Sequence, residues 1–113
     1  MSTRQEAFQK FLDQQRLEYR RSLRLKISDI ESLWRDVKSG EDVEARLVTL
    51  ERLAHTLAGT AGTFGFLEVG LAAKHLEELL QKALKTAHPV LPDQGADIDL
   101  ALHRLQDSVQ PLL

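Results

Sequence analysis

The chain has 113 residues, 42% hydrophobic and 28% charged, which suits one globular domain with one core and excludes a disordered segment. It has no cysteine, so disulfide frameworks, thiol catalysis and cysteine-based zinc sites are all excluded. A formal net charge of −2 argues against a general nucleic-acid binder.

The start, "MSTRQEAFQK", carries charges and no apolar stretch, so it does not read as a secretory signal. No apolar run approaches the roughly 18 residues needed to span a bilayer, and a cytoplasmic protein with no membrane partner is expected. Ser2 or Thr3 suits the cap of a short first helix carrying Phe8, Phe11 and Leu12. "YRRSLRLK", Tyr19 to Lys26, bears four positive charges without an acid and reads as a solvated helix face. Leu23, Ile27, Ile30, Trp34 and Val37 then form an apolar stripe with spacings of four and three residues. "KSGED" ends that helix: Gly40 suits a C-terminal cap, and Glu41 or Asp42 the next start.

The spacing predicts a further helix from Val43 to Thr63, with Leu47, Leu50, Ala54, Leu57 and Ala61 facing the core. "TFGF" holds a turn at Gly65. Another helix follows with Val69, Ala72, Leu76, Leu79 and Ala83 as its stripe. "TAHPVLPDQG", with Pro89, Pro92 and Gly95, reads as a loop. A last helix carries Ile98, Leu102, Leu105 and Val109, and Pro111 closes it. No stretch alternates with period two between turn residues, so strands are not expected. The prediction is an all-α fold, an antiparallel four-helix bundle with a short extra N-terminal helix, forming a single domain over residues 1–113.

Within the Val43–Thr63 helix, "LERLAHTLAGTAGTFGF" places two glycines beside a histidine. Each glycine in a helix interior costs roughly 1 kcal/mol relative to alanine. His55 shares a face with Val48, Glu51, Arg52, Ala58, Gly59 and Gly62, while Ala54 and Leu57 lie about 100° and 200° away around the axis. His55 is therefore expected on the outer side, near the boundary with the core. Close helix packing would account for one glycine. Both falling on the histidine face points to clearance, so that something large can approach the imidazole.

"AHTLAGTAGTFGF", Ala54 to Phe66, resembles the signature of histidine-containing phosphotransfer (HPt) domains. That pattern has a histidine, two residues, often a lysine, then glycine, a small hydroxyl residue, a small residue, and a glycine ten positions after the histidine. Here these are His55, Ala58, Gly59, Thr60, Ala61 and Gly65. The resemblance implies an antiparallel four-helix bundle whose exposed histidine carries a phosphoryl group between receiver-domain aspartates. It makes His55 the phosphoacceptor. It also implies that Glu77, 22 residues on, accepts a hydrogen bond from the ring and fixes its tautomer. Without the resemblance, Glu77 reads equally as a surface charge in "LEELLQK". The frequent lysine is Ala58 here, and Lys74 and Arg52 are the candidate substitutes. Val48, Arg52, Ala58, Gly59, Gly62 and Thr63, with Gly70, Lys74 and Gln81 from the facing helix, would line the docking surface.

"GTAGTFG" lacks the lysine and hydroxyl ending of a P-loop, and kinase nucleotide motifs are absent. The chain is thus expected to be a phosphoryl carrier and not an ATP-dependent enzyme. It would need no cofactor of its own, with Mg²⁺ on the partner receiver domain of a response regulator or hybrid histidine kinase. His75, His88 and His103 read as structural or solvated. Glu51 and His55 are at i and i+4, and Glu78 follows His75 by three, but paired Glu-x-x-His motifs are absent and no metal site is expected. A monomer is expected. The alternative reading is a non-catalytic helical interaction module that binds a receiver or kinase without chemistry.

Overall fold

The computed structural model describes residues 3–86 and 90–113. Ser2, one of the two expected caps, and His88 and Pro89 of the proline loop lie outside these residues. Four helices follow in order: α1 (Arg4–Lys38), α2 (Val43–Thr63), α3 (Leu67–Lys85) and α4 (Pro92–Val109), the last running into a 3₁₀ turn, Gln110–Leu112. The described residues contain no strand.

α1 corrects the first expectation. The segment with Phe8, Phe11 and Leu12 is not a separate short helix but the N-terminal part of one 35-residue helix. No glycine or proline occurs between Arg4 and Lys38, so nothing breaks it. Thr3 caps it, its hydroxyl accepting from the Glu6 amide at 3.1 Å. At about 1.5 Å per residue α1 is about 52 Å long, against about 27–32 Å for the others. Its first buried residue is Tyr19, and Phe8, Phe11 and Leu12 are all exposed on the overhang.

Tyr19 marks where α1 meets the end of the bundle. Its ring stacks on Phe64 and Phe66 of the α2–α3 turn, with centroids 4.8 and 5.9 Å away. Arg16 donates from Nε to the Phe64 carbonyl at 3.0 Å and lies over the Phe66 ring. The Tyr19 hydroxyl and Thr60 Oγ1 are 2.7 Å apart. Burial pushes the Tyr19 phenol above its ordinary range, against the opposing effect of the Thr60 bond. At the other end Trp34 Nε1 donates to Asp99 at 2.6 Å, joined by Lys38 at 3.2 Å, which ties α1 to α4. Of the basic run, Arg20, Arg21 and Arg24 are solvated, and Lys26 lies over the Tyr19 ring.

The core is formed by the stripes expected for α1, α2 and α4: Leu23 to Val37, Leu47 to Ala61, and Ile98 to Val109. In α3 the stripe is rotated slightly. Val69, Ala73, Leu76, Leu80 and Ala83 are buried, while Ala72 and Leu79 sit half-buried at the edge. The proline loop is shorter than expected, because Pro92 to Gly95 form the first turn of α4. Proline at the first helical position has its φ preset and no amide to satisfy. Gln94 completes the start by accepting from the Leu91 amide at 3.1 Å.

The short connections make successive helices antiparallel neighbours. Gly65, at φ 83°, supplies the left-handed backbone that lets the chain reverse between α2 and α3. These two helices pack most closely, and their seam carries the histidine face.

Candidate functional site

His55 lies on α2 two turns before the helix end, on the side away from Ala54, Leu57 and Ala61. Its side chain is 72% exposed. Glu77 approaches from α3, and its side chain is only 10% exposed. The surface-charge reading of Glu77 therefore fails: the rotation of the α3 stripe that buries Ala73 and Leu80 also turns Glu77 into the seam.

His55 Nδ1 and Glu77 Oε2 form a short hydrogen bond. A carboxylate can only accept, so the ring carries its proton on Nδ1. In the neutral imidazole this leaves the Nε2 lone pair available. A buried acceptor thus fixes the tautomer and orientation of an exposed ring, an arrangement suited to a nucleophile or proton carrier.

The glycines divide into two roles. A Cβ built at Gly59 or Gly62 meets nothing within 4 Å, so both keep the surface beside the ring low. Gly70 differs. It is buried, and a Cβ there would lie 3.3 Å from the Ala58 carbonyl oxygen and 3.4 Å from the Gly62 nitrogen. Its expected place on the docking surface is corrected: Gly70 allows the backbones of α2 and α3 to approach, and its own surface is covered.

Val48, Arg52, Gly59, Gly62 and Thr63 are exposed on α2, as are Lys74 and Gln81 on α3. Ala58 is half-buried against the core. Thr63 folds back, its hydroxyl donating to the Gly59 carbonyl at 3.0 Å. Gln81 Nε2 donates to Glu51 Oε1 at 3.1 Å. His75 and His103 are both exposed.

Two features go beyond the sequence reading. Glu51 was visible as a neighbour on the His55 face and as an i, i+4 pair with His55 that was expected to hold no metal, and its carboxylate lies within 4.8 Å of ligand atoms of both His55 and Glu77. Leu67 and Leu71 are 67% and 69% exposed. With Lys74 they form an i, i+4, i+7 stripe on α3 beside the Gly70 contact. Large exposed apolar side chains at regular spacing, outside the core stripe, were the available signal for this one.

No helix among the described residues is long and apolar enough to cross a membrane. No curated protein and no solved structure matches the chain. The family model for the Hpt domain matches residues 6–108, nearly the whole chain, and the protein belongs to that family.

Proposed function

We propose that this Hpt-domain protein is a phosphorelay carrier that takes a phosphoryl group onto Nε2 of His55 from a receiver-domain aspartate and passes it to another. The carrying observation is an imidazole with a 72% exposed side chain, held through Nδ1 by a carboxylate that is itself nine-tenths buried.

The reaction is an in-line displacement. The Nε2 lone pair attacks phosphorus of the aspartyl phosphate, the phosphorus–oxygen bond to the receiver breaks, and the aspartate leaves as a carboxylate. No proton need leave Nε2, because Nδ1 already holds it. As the ring becomes phosphoimidazolium, positive charge develops opposite the Glu77 carboxylate, which is placed in advance to stabilise it. The reverse reaction follows the same path. Mg²⁺ on the receiver would neutralise charge on the phosphoryl oxygens, a task for which this chain needs no cofactor of its own.

The open surface over Gly59 and Gly62 admits the receiver. Leu67 and Leu71 offer apolar contact on one flank, and Val48, Arg52, Thr63, Lys74 and Gln81 surround the ring with mixed polarity. Such a small, mixed surface suits a transient partner.

Incubation with a phosphorylated receiver is expected to give an acid-labile, alkali-stable phosphate on the chain. His55→Gln is expected to abolish it with helicity unchanged. Receiver binding without any label would favour the non-catalytic interaction module. Undiminished label on His55→Gln would place the acceptor elsewhere.

A further inference from the structure

Glu51, His55 and Glu77 converge at the α2–α3 seam, with one ligand atom from each lying within 4.8 Å of the others. Glu51 and His55 stand one turn apart on the same face of α2. Glu77 enters from α3, and among the described residues its hydrogen-bond partner is the His55 ring. Gln81 holds the Glu51 carboxylate by its 3.1 Å bond to Oε1. The set is more than a cluster of acids. It combines an imidazole nitrogen, a nine-tenths-buried carboxylate hydrogen-bonded to that nitrogen, and a second carboxylate that accepts from Gln81.

We propose that these three residues bind a divalent transition ion of the Zn²⁺ class, and that the bound ion blocks His55 as a phosphoryl acceptor. The second half rests on the carrier reading given above. Metal–ligand bonds of about 2.0–2.2 Å place neighbouring ligand atoms roughly 3.0–3.5 Å apart. An ion would enter by opening the short His55–Glu77 hydrogen bond and drawing the Glu51 carboxylate inward, with water completing the shell. One nitrogen and two carboxylate oxygens favour borderline ions such as Zn²⁺, Co²⁺ or Ni²⁺. Mg²⁺ prefers oxygen and keeps its waters, so the Mg²⁺ of a receiver would leave this site open.

The block follows from the tautomer. Coordination through Nδ1 requires that nitrogen to give up its proton. The neutral ring then carries its one proton, exchanged through solvent, on Nε2. The lone pair that would attack phosphorus is no longer available, and Glu77 is engaged by the ion. No bond to phosphorus forms and no redox change is involved.

The test begins without a receiver. Zn²⁺ is titrated calorimetrically into the untagged chain in Mg²⁺-containing buffer, and the ring tautomer is read from ¹⁵N chemical shifts. One-to-one binding is expected, with a switch from Nδ1–H to Nε2–H. Binding should be lost in His55→Gln, weakened at least about tenfold in Glu51→Gln, and unchanged in His103→Gln. Transfer from a phosphorylated receiver is then compared with and without Zn²⁺, each variant against its own Zn²⁺-free rate. Zn²⁺ should slow the wild type and slow Glu51→Gln less. Absence of binding, or binding that survives His55→Gln, overturns the site. Binding as described with an unchanged transfer rate overturns the block. Binding as described on a chain that never takes label leaves the site standing and overturns the carrier reading instead.

Discussion

Gly59→Ala should stabilise the protein and Gly70→Ala should not. Both residues are helical, and neither has a positive φ, so each alanine gains the same helix propensity, about 1 kcal/mol. They differ in what the new methyl meets. At Gly59 nothing lies within 4 Å, so the gain stands alone. At Gly70 the methyl would lie 3.3 Å from the Ala58 carbonyl oxygen and 3.4 Å from the Gly62 nitrogen. Both are backbone atoms of α2, and no side-chain rotation can move them aside. The two helices must separate by a few tenths of an ångström, and overpacking of this kind costs about 1–3 kcal/mol. The net for Gly70→Ala is thus about 0–2 kcal/mol destabilising. For a domain of this size 1 kcal/mol corresponds to about 4 °C in Tm. Urea and thermal unfolding followed by circular dichroism at 222 nm would show it, provided the urea slope is unchanged between variants. A Gly70→Ala protein stabilised as much as Gly59→Ala would refute the assignment of the two glycines, as would a Gly59→Ala protein with no gain. The functional half needs a larger side chain. Gly59→Gln should slow phosphoryl transfer from a receiver while leaving the fold intact, and a wild-type rate would show that the open surface is not what the receiver needs.

Glu77→Gln keeps an acceptor for the His55 ring but removes the charge. Charge-assisted hydrogen bonds are about twice as strong as neutral ones, so a loss of about 1–1.5 kcal/mol is expected, roughly tenfold in transfer rate; an unchanged rate at saturating receiver would show that the carboxylate charge is idle. Asp99 makes a prediction for acid stability. The Trp34 indole N–H, and after it Lys38, hold its carboxyl below the ordinary carboxylate value. A depressed folded-state pKa gives stability that is present above the unfolded value of 3.8 and is lost as pH falls through the lower folded value. Asp99→Asn should therefore flatten the loss of stability below about pH 4. Trp34, the single tryptophan, reports unfolding by its emission, and an identical acid limb in the variant would remove the Trp34–Asp99 bond from the account.

Periodicity located the core of α1, α2 and α4: the residues of each expected stripe are buried, and apolar neighbours such as Leu33, Leu53 and Ala58 lie only partly buried at its edge. In α3 it was ambiguous. Ala72 and Ala73, and Leu79 and Leu80, are adjacent apolar pairs, so stripes through either member satisfy the spacing of three and four. The choice is made by α2, whose bare backbone at Gly62 receives Gly70 and turns Ala73, Glu77 and Leu80 inward. The overhang of α1 had no local signal either. Phe8, Phe11 and Leu12 are spaced like any buried stripe, and only the lengths of the other helices leave them uncovered. The histidine and its clearing glycines were legible from one helix. Their partners were not: Glu77 lies 22 residues away, and nothing in spacing alone pairs it with His55. Glu51 could be placed on the right face, but its approach to Glu77 needed the seam.

The charge around the ring bears on how a carrier would work here. Where the family often has a lysine, Ala58 is half-buried, and the carboxylates of Glu51 and Glu77 lie beside His55. A fixed ammonium about 4 Å from a phosphoryl oxygen would attract it by roughly 4 kcal/mol at an effective dielectric of 20. Desolvation and side-chain ordering reduce exposed pairs to about 0–1 kcal/mol. Arg52 and Lys74 are exposed on the two flanks, with side chains long enough to swing toward a phosphoryl group and away again. On the carrier reading Glu77 would stabilise the positive charge of a phosphorylated ring, while Glu51 would repel the phosphoryl's negative charge. These effects would partly cancel, and the phosphoryl group would be held by the nucleophile's geometry more than by fixed cations. A relay protein must release what it accepts, and a loosely neutralised phosphohistidine favours onward transfer to a receiver whose Mg²⁺ supplies the missing positive charge.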